Sequence, residues 1–148
     1  MKQIIPEIYV KNCADALEFY RQLFGGEIKN RRMSDDLPAF RGMNGKVIHS
    51  ELHVTGRCVL YFVDVFDKKR QNPGNVTIVL HFGSKRELER IYEGLRVGGH
   101  VGMEMQRTLT GAWHAIVTDR YGAPWALSFA GGHTTSVRDK SQKPSSRQ

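Results

Sequence analysis

One pattern occurs twice in this chain. Phe19-Tyr20, Leu23, Gly25-Gly26 and Glu27-Ile28 recur as Ile91-Tyr92, Leu95, Gly98-Gly99 and His100-Val101. The offset is 72 positions at the aromatic pair and 73 at the glycines, so one residue has been inserted between them. A short apolar run precedes each copy, Ile4 to Val10 and then Val76 to Phe82. More strand-like runs follow each. A chain built this way is expected to fold as two similar modules enclosing a cleft, and a cleft between modules is where a ligand would sit.

The local signals assign an element to each segment. Ile4 to Val10 reads as a strand. Asn12 is placed to cap a helix with its side chain, and Asp15 in the first turn complements the helix dipole. Ala16, Leu17, Tyr20, Leu23 and Phe24 then form an apolar stripe at helical spacing, which Gly25-Gly26 terminates. Glu27 to Met33 is the second strand. Residues 34–45, with Asp35-Asp36, Pro38 and two glycines, form a loop. Val47 to Val54 and Arg57 to Asp64 are strands joined at Thr55-Gly56. In the second copy, Val76 to Phe82 is a strand, and Ser84-Lys85-Arg86-Glu87 has the spacing of a capping box. Leu88, Ile91, Tyr92 and Leu95 form its helical stripe. His100 to Gln106, Ala112 to Thr118 and Trp125 to Phe129 complete the set. The fold class is α+β, βαβββ followed by βαβββ. Residues 1–65 form the first module, 66–75 a linker and 76–131 the second module, the two making one domain. Residues 132–148, rich in Ser, Lys, Gln and Pro, are expected to be a disordered basic tail.

Composition excludes several function classes. The net charge is +7, but the tail alone carries +3 through Arg138, Lys140, Lys143 and Arg147 against Asp139. That leaves +4 spread among scattered acids and bases, with Lys68-Lys69-Arg70 as the one dense cluster. Nucleic-acid binders gather charge on one face, with aromatics for stacking, so no nucleic-acid partner is expected. No apolar run approaches the ~20 residues needed to cross a bilayer, and the N-terminal residues have no signal-peptide core. Cys13 and Cys58 stand alone and far apart, which points to free thiols and a cytoplasmic protein. The chain has no phosphate-binding loop, nucleophile elbow or dinucleotide fingerprint.

Candidate chemistry concentrates on strands. His49, Glu51 and His53 alternate, so their side chains share one sheet face. They can form an acid/base or ligand-contacting cluster, or simply a polar wall with His53 at the rim. His81 shares a face with Thr77 and Val79. Trp113 is a candidate to pack over a ligand. His114 lies in a strand of the second module. Tyr20, Tyr92 and Trp125 belong to the core. Cys13 sits in the first helical turn, either as a small buried residue or as a thiol activated by the helix dipole.

Taken together, several segments resemble the vicinal oxygen chelate superfamily of glyoxalase, bleomycin-resistance and dioxygenase relatives, and within it the PhnB-like branch. They are Asn12 to Tyr20 with Phe24-Gly25-Gly26, then His49-Ser50-Glu51-Leu52, then Val117-Thr118-Asp119 with Gly122, Pro124 and Trp125, and the similarity covers residues 4–130. The resemblance implies a homodimer and a divalent metal held from the first and last strands of each module. By register those positions fall near Ile5, Leu60 or Tyr61, Thr77 and Ala126, and none of them is His, Glu or Gln. The chain also departs from the branch at Thr110 and Arg120. No metal is therefore expected at the usual positions, no cofactor is assigned, and no catalytic residue is named. The resulting expectation is a small-molecule-binding protein of PhnB-like type, with a ligand cleft lined by His49, Glu51, Thr77, His81 and Trp113. The alternative is a metal-dependent lyase or isomerase of glyoxalase type, with an unusual site at His49 and Glu51.

Overall fold

The computed structural model describes residues 1–66 and 75–131. Most of the expected linker, including Lys68-Lys69-Arg70, and the expected tail lie outside them. The first module runs β1 (Glu7–Val10), α1 (Cys13–Phe24), β2 (Glu27–Met33), β3 (Val47–Thr55) and β4 (Cys58–Asp64). The second runs β5 (Ile78–His81), α2 (Lys85–Arg96), β6 (His100–Arg107), β7 (Trp113–Thr118) and β8 (Pro124–Phe129). Each module makes a four-stranded mixed sheet, in the orders β1-β4-β3-β2 and β5-β8-β7-β6. The first and last strands of each module pair in parallel and the other pairs are antiparallel. The fold is thus the duplicated βαβββ read from the sequence. Both first strands are shorter than their apolar runs, β1 beginning at Glu7 and β5 at Ile78, although the Pro6 carbonyl still accepts from the Tyr61 amide at 2.9 Å. The loop 34–45 contains two 3-10 turns, Ser34–Asp36 and Pro38–Phe40. Buried Ser34 ties its ends, donating to the Met43 carbonyl at 2.5 Å and accepting from the Lys46 amide at 3.1 Å.

The repeated glycine pair has one physical cause in both copies. Gly25 and Gly98 take φ of 81° and 73°, a region that favours glycine. A Cβ on Gly26 would collide with the His53 carbonyl at the end of β3. A Cβ on Gly99 would collide with the Thr118 carbonyl at the end of β7. In each module the chain leaving the helix passes directly against the far end of the third strand, and only hydrogen fits there. The inserted residue is Val97. It follows Arg96 at the end of α2, where α1 passes from Phe24 straight to Gly25.

Helix α1 lies on β3 and β4, and α2 on β7 and β8. Residues Ile8, Val10, Leu52, Leu60 and Phe62 of the first sheet, and Ala115, Val117, Trp125 and Leu127 of the second, face those helices in one continuous core. The modules meet through the same sides. Leu23 of α1 packs where Gly94 of α2 has no side chain, and Arg90 of α2 donates to the Leu23 carbonyl at 2.8 Å. Tyr20 stacks on Phe62 and lies against Trp125. The Asp119 carboxylate, buried at the turn into β8, accepts from the Tyr20 hydroxyl at 2.5 Å and Trp125 Nε1 at 2.7 Å. It also accepts from the amides of Tyr121 and Ala123. The helices thus pack toward the seam, and the opposite face of each sheet carries no helix among the described residues.

The start of α1 is also held differently from expectation. Asn12 adopts a left-handed conformation, φ 53° and ψ 59°, and its side chain makes no cap hydrogen bond. Buried Asp64, at the end of β4, takes that role. Its carboxylate accepts from the Cys13 amide at 3.0 Å and from the Val47 amide at 2.7 Å, fastening helix to sheet. In α2 one half of the expected capping box forms, the Ser84 hydroxyl accepting from the Glu87 amide at 3.2 Å.

The glycine geometry yields a test. Gly26→Ala combines a positive φ with a backbone collision and should cost more than about 2 kcal/mol. Gly56→Ala, which faces open space, should stay within about 0.5 kcal/mol of the parent. Urea unfolding midpoints of the two variants decide the matter; equal midpoints would overturn the close-approach explanation.

Candidate functional site

Strand alternation sends Ser50 and Leu52 toward α1 and leaves His49, Glu51 and His53 on the open face. The ladder then sets their neighbours. Glu51 lies between Tyr61 of β4 and Lys29 of β2, and Tyr61 pairs in turn with Glu7 of β1. These four make a row across all four strands. His53 pairs with Glu27 and Val59, and His49 with Arg32.

Glu51 is the hub of this face. Its Oε1 lies 3.2 Å from His49 Nε2, and its Oε2 lies 2.5 Å from His53 Nε2. The hydrogen bond from His53, then one from Asn30, lowers the Glu51 carboxyl to about 2 from an ordinary 4.5. An ionised carboxylate only accepts, so both imidazoles must present Nε2–H to it, which leaves Nδ1 of each neutral ring as the acceptor. The His49 ring also meets Tyr61 edge to face, with centroids 4.8 Å apart. Tyr9, on the same face, donates to Glu7 at 3.2 Å. The result is a half-buried surface of two fixed imidazoles, one fixed carboxylate and phenols. It can donate to, accept from and stack on a small polar ligand.

The other sequence candidates are not gathered here. His81 lies on the open face of the second sheet, and exposed Thr77 precedes β5. Trp113 requires a correction. It pairs with Phe129 and shares its side of the sheet with buried Ala115 and Val117, the side that carries α2. Lys85 of α2 places its Nζ 4.0 Å from the ring centroid. Trp113 therefore packs beneath a helix, not over an open face. Tyr61, Asn30 and Lys29 are the neighbours that sequence reasoning missed, since strand register alone brings them to Glu51.

Cys13 is fully buried, and burial, followed by the Asp64 carboxylate, pushes its thiol up to about 12. A thiol that remains protonated is a packing residue, which settles the choice left open by the sequence. The positions to which the resemblance assigns an ion, near Ile5, Leu60 or Tyr61, Thr77 and Ala126, offer a set that does not suit a divalent ion. Among the described residues, no three His, Cys, Asp or Glu side chains converge as a metal centre. Both oxygens of Glu51 are already engaged by imidazoles.

The depressed Glu51 carboxyl predicts a pH dependence. Its folded value lies below its unfolded one, so its contribution to stability is complete above about pH 4.5 and is lost as the pH falls toward 2. Denaturation midpoints measured from pH 6 to pH 2 should fall less steeply in Glu51→Gln than in the parent. Superimposable acid limbs would show that the carboxylate is not held by its histidines.

Relatives place the chain. The family model described as the Glyoxalase/Bleomycin resistance protein/Dioxygenase superfamily matches residues 3–127. Protein PA1353 from Pseudomonas aeruginosa superposes with a TM-score of 0.76 at 30% identity, covering 87% of this chain and 98% of that one. A PhnB protein from Bacillus cereus superposes with a TM-score of 0.74 at 20% identity, covering 87% and 100%. Protein YjdN of Escherichia coli strain K12 is 22% identical over 132 residues, 81% of this chain and 89% of its own. With the duplicated βαβββ fold and a family match that spans both modules, the chain belongs to the Glyoxalase/Bleomycin resistance protein/Dioxygenase superfamily.

Proposed function

We propose that the protein binds a small polar molecule against the open face of its first sheet, without the metal used by superfamily enzymes, and that it does so as a homodimer. The observation that carries this reading is the His49–Glu51–His53 cluster with Tyr61 on a sheet face that α1 leaves uncovered. A scaffold has no need of two oriented imidazoles at a half-exposed position, whereas a ligand with matched donors and acceptors does. The seam supports the dimer. A sheet face that its own helix leaves open gains a cover when a second chain packs against it. Strands β1 and β5, each bordered by a single neighbour, offer the free edges along which such a pair would meet. The glyoxalase-type alternative at His49 and Glu51 is disfavoured, because the carboxylate it needs is already bonded through both oxygens.

Two experiments test this reading. A ligand-observed screen should identify a binder whose affinity falls by more than about tenfold, or ~1.4 kcal/mol, in His49→Ala. The same variant should lose less than about 1 kcal/mol of stability. Lost stability with unchanged affinity would assign His49 to the scaffold. That binder should also show the same affinity with and without chelator, because no ion takes part in binding at the first sheet. Affinity lost in chelator and restored by added metal would sink the metal-independent reading.

A further inference from the structure

The open face of the second sheet carries a different arrangement. His81 on β5 pairs with Ser128 on β8, and Ser128 pairs with His114 on β7. His114 pairs with Gln106 on β6. The four side chains therefore lie in one row across the whole sheet, in the order His81, Ser128, His114, Gln106. Unlike those of His49 and His53, neither imidazole of this row is engaged by a hydrogen bond, ion pair or ring contact among the described residues. His81 is exposed and His114 half-buried.

We propose that His81 and His114 bind a borderline divalent metal ion of the zinc, nickel or copper type, held above Ser128. Strands ~4.8 Å apart put the anchor points of the two imidazoles ~10 Å apart. Two histidines leaning inward over a small residue can span that gap, with an ion ~2.0–2.1 Å from each nitrogen. Ser128 is small enough to allow this, and its hydroxyl offers a further oxygen. Gln106, beside His114, is placed to accept from the second ring nitrogen and fix its orientation.

The rest of the face selects for such an ion. The flanking positions are Val79, Ala126, Ile116, Thr118 and Met103, with no Asp, Glu, Lys or Arg among them. An anion would meet no fixed positive charge there. Calcium and magnesium would meet too few oxygens, whereas neutral imidazoles are natural ligands for zinc, copper and nickel. The row also stands one pair beyond the Val79–Ala126 pair, so it does not coincide with the Thr77 and Ala126 positions considered above. This site is independent of the ligand reading of the first sheet. A bound ion would tie the edge strand β5 to β7 across β8.

The test is titration of the untagged full-length protein with Cu2+, followed by calorimetry and by electron paramagnetic resonance. The parent should take up one equivalent with two imidazole nitrogens coordinated. His81→Gln and His114→Gln should each weaken uptake by more than about tenfold, at least the loss seen when a supporting group of a metal site is removed. Ser128→Val, which keeps both histidines but fills the space between their rings, should weaken it as well. His53→Gln should leave it unchanged. Circular dichroism verifies that each variant is folded, and the exposed position of His81 makes His81→Gln the safest on that count. Uptake unchanged in His81→Gln or His114→Gln, or lost in His53→Gln instead, would overturn the proposal.

Discussion

The Asp119 carboxylate joins what the linear chain keeps apart. One of its oxygens accepts from both Tyr20 of α1 and Trp125 of β8, and the other accepts from two amides of the turn that carries it. A buried carboxylate is tolerable only when its lone pairs are filled, and here four donors fill them. Burial and the neighbouring carboxylate both raise the Tyr20 phenol, so the hydroxyl stays protonated and donates. The aromatic cluster of Tyr20, Phe24, Phe62, Tyr121 and Trp125 assembles around that bond. Breaking it by removing the carboxylate would strand a phenol and an indole N–H in the core, a loss on the order of 3–5 kcal/mol.

With the helix-bearing sides committed to the seam, chemistry is left to the open faces, and the two faces differ. The first is charged and internally bonded, with Glu51 orienting both of its histidines and strand β2 bringing Lys29 and Arg32 alongside. The second has no Asp, Glu, Lys or Arg in the row from His81 to Gln106 or at Val79, Ala126 and Ile116, and the imidazoles of that row are unengaged among the described residues. Duplication has kept the backbone while the outward-facing side chains have diverged. That pattern is expected when core positions answer to packing and open faces answer to ligands.

The sequence carried most of the fold and only part of the site. Tyr20, Leu17, Leu95 and Trp125 repeat at core spacing, and the glycine pairs mark a backbone collision that no side chain can evade, so both were readable one residue at a time. The side of Trp113 was readable too. Its parity matches Ala115 and Val117, and that parity outweighs the appeal of a large aromatic near a cleft. The partners of Glu51 were not readable, because Tyr61, Lys29 and Asn30 reach it through register, and β2 carries an irregular step between Lys29 and Arg32 that shifts every pairing beyond it. Nor was the fastening of α1 by Asp64, which lies 51 positions from Cys13. Asn12 looked like a cap because capping is usually local.

The bond from Tyr20 to Asp119 also marks where the two halves ceased to be equivalent. Its counterpart, Tyr92, turns within its own module and donates to Glu104 of β6. One tyrosine of the repeat thus reaches across to the other half, and its twin does not. A chain with two first modules would offer its leading Tyr20 no carboxylate at the place of Asp119, because the third strand of that module ends at Thr55-Gly56. Two second modules would lose the crossing phenol, since each Tyr92 would remain bound to its own Glu104. The repeat is a symmetry of shape that has become directional in its bonding, so one half of each kind is now a structural requirement.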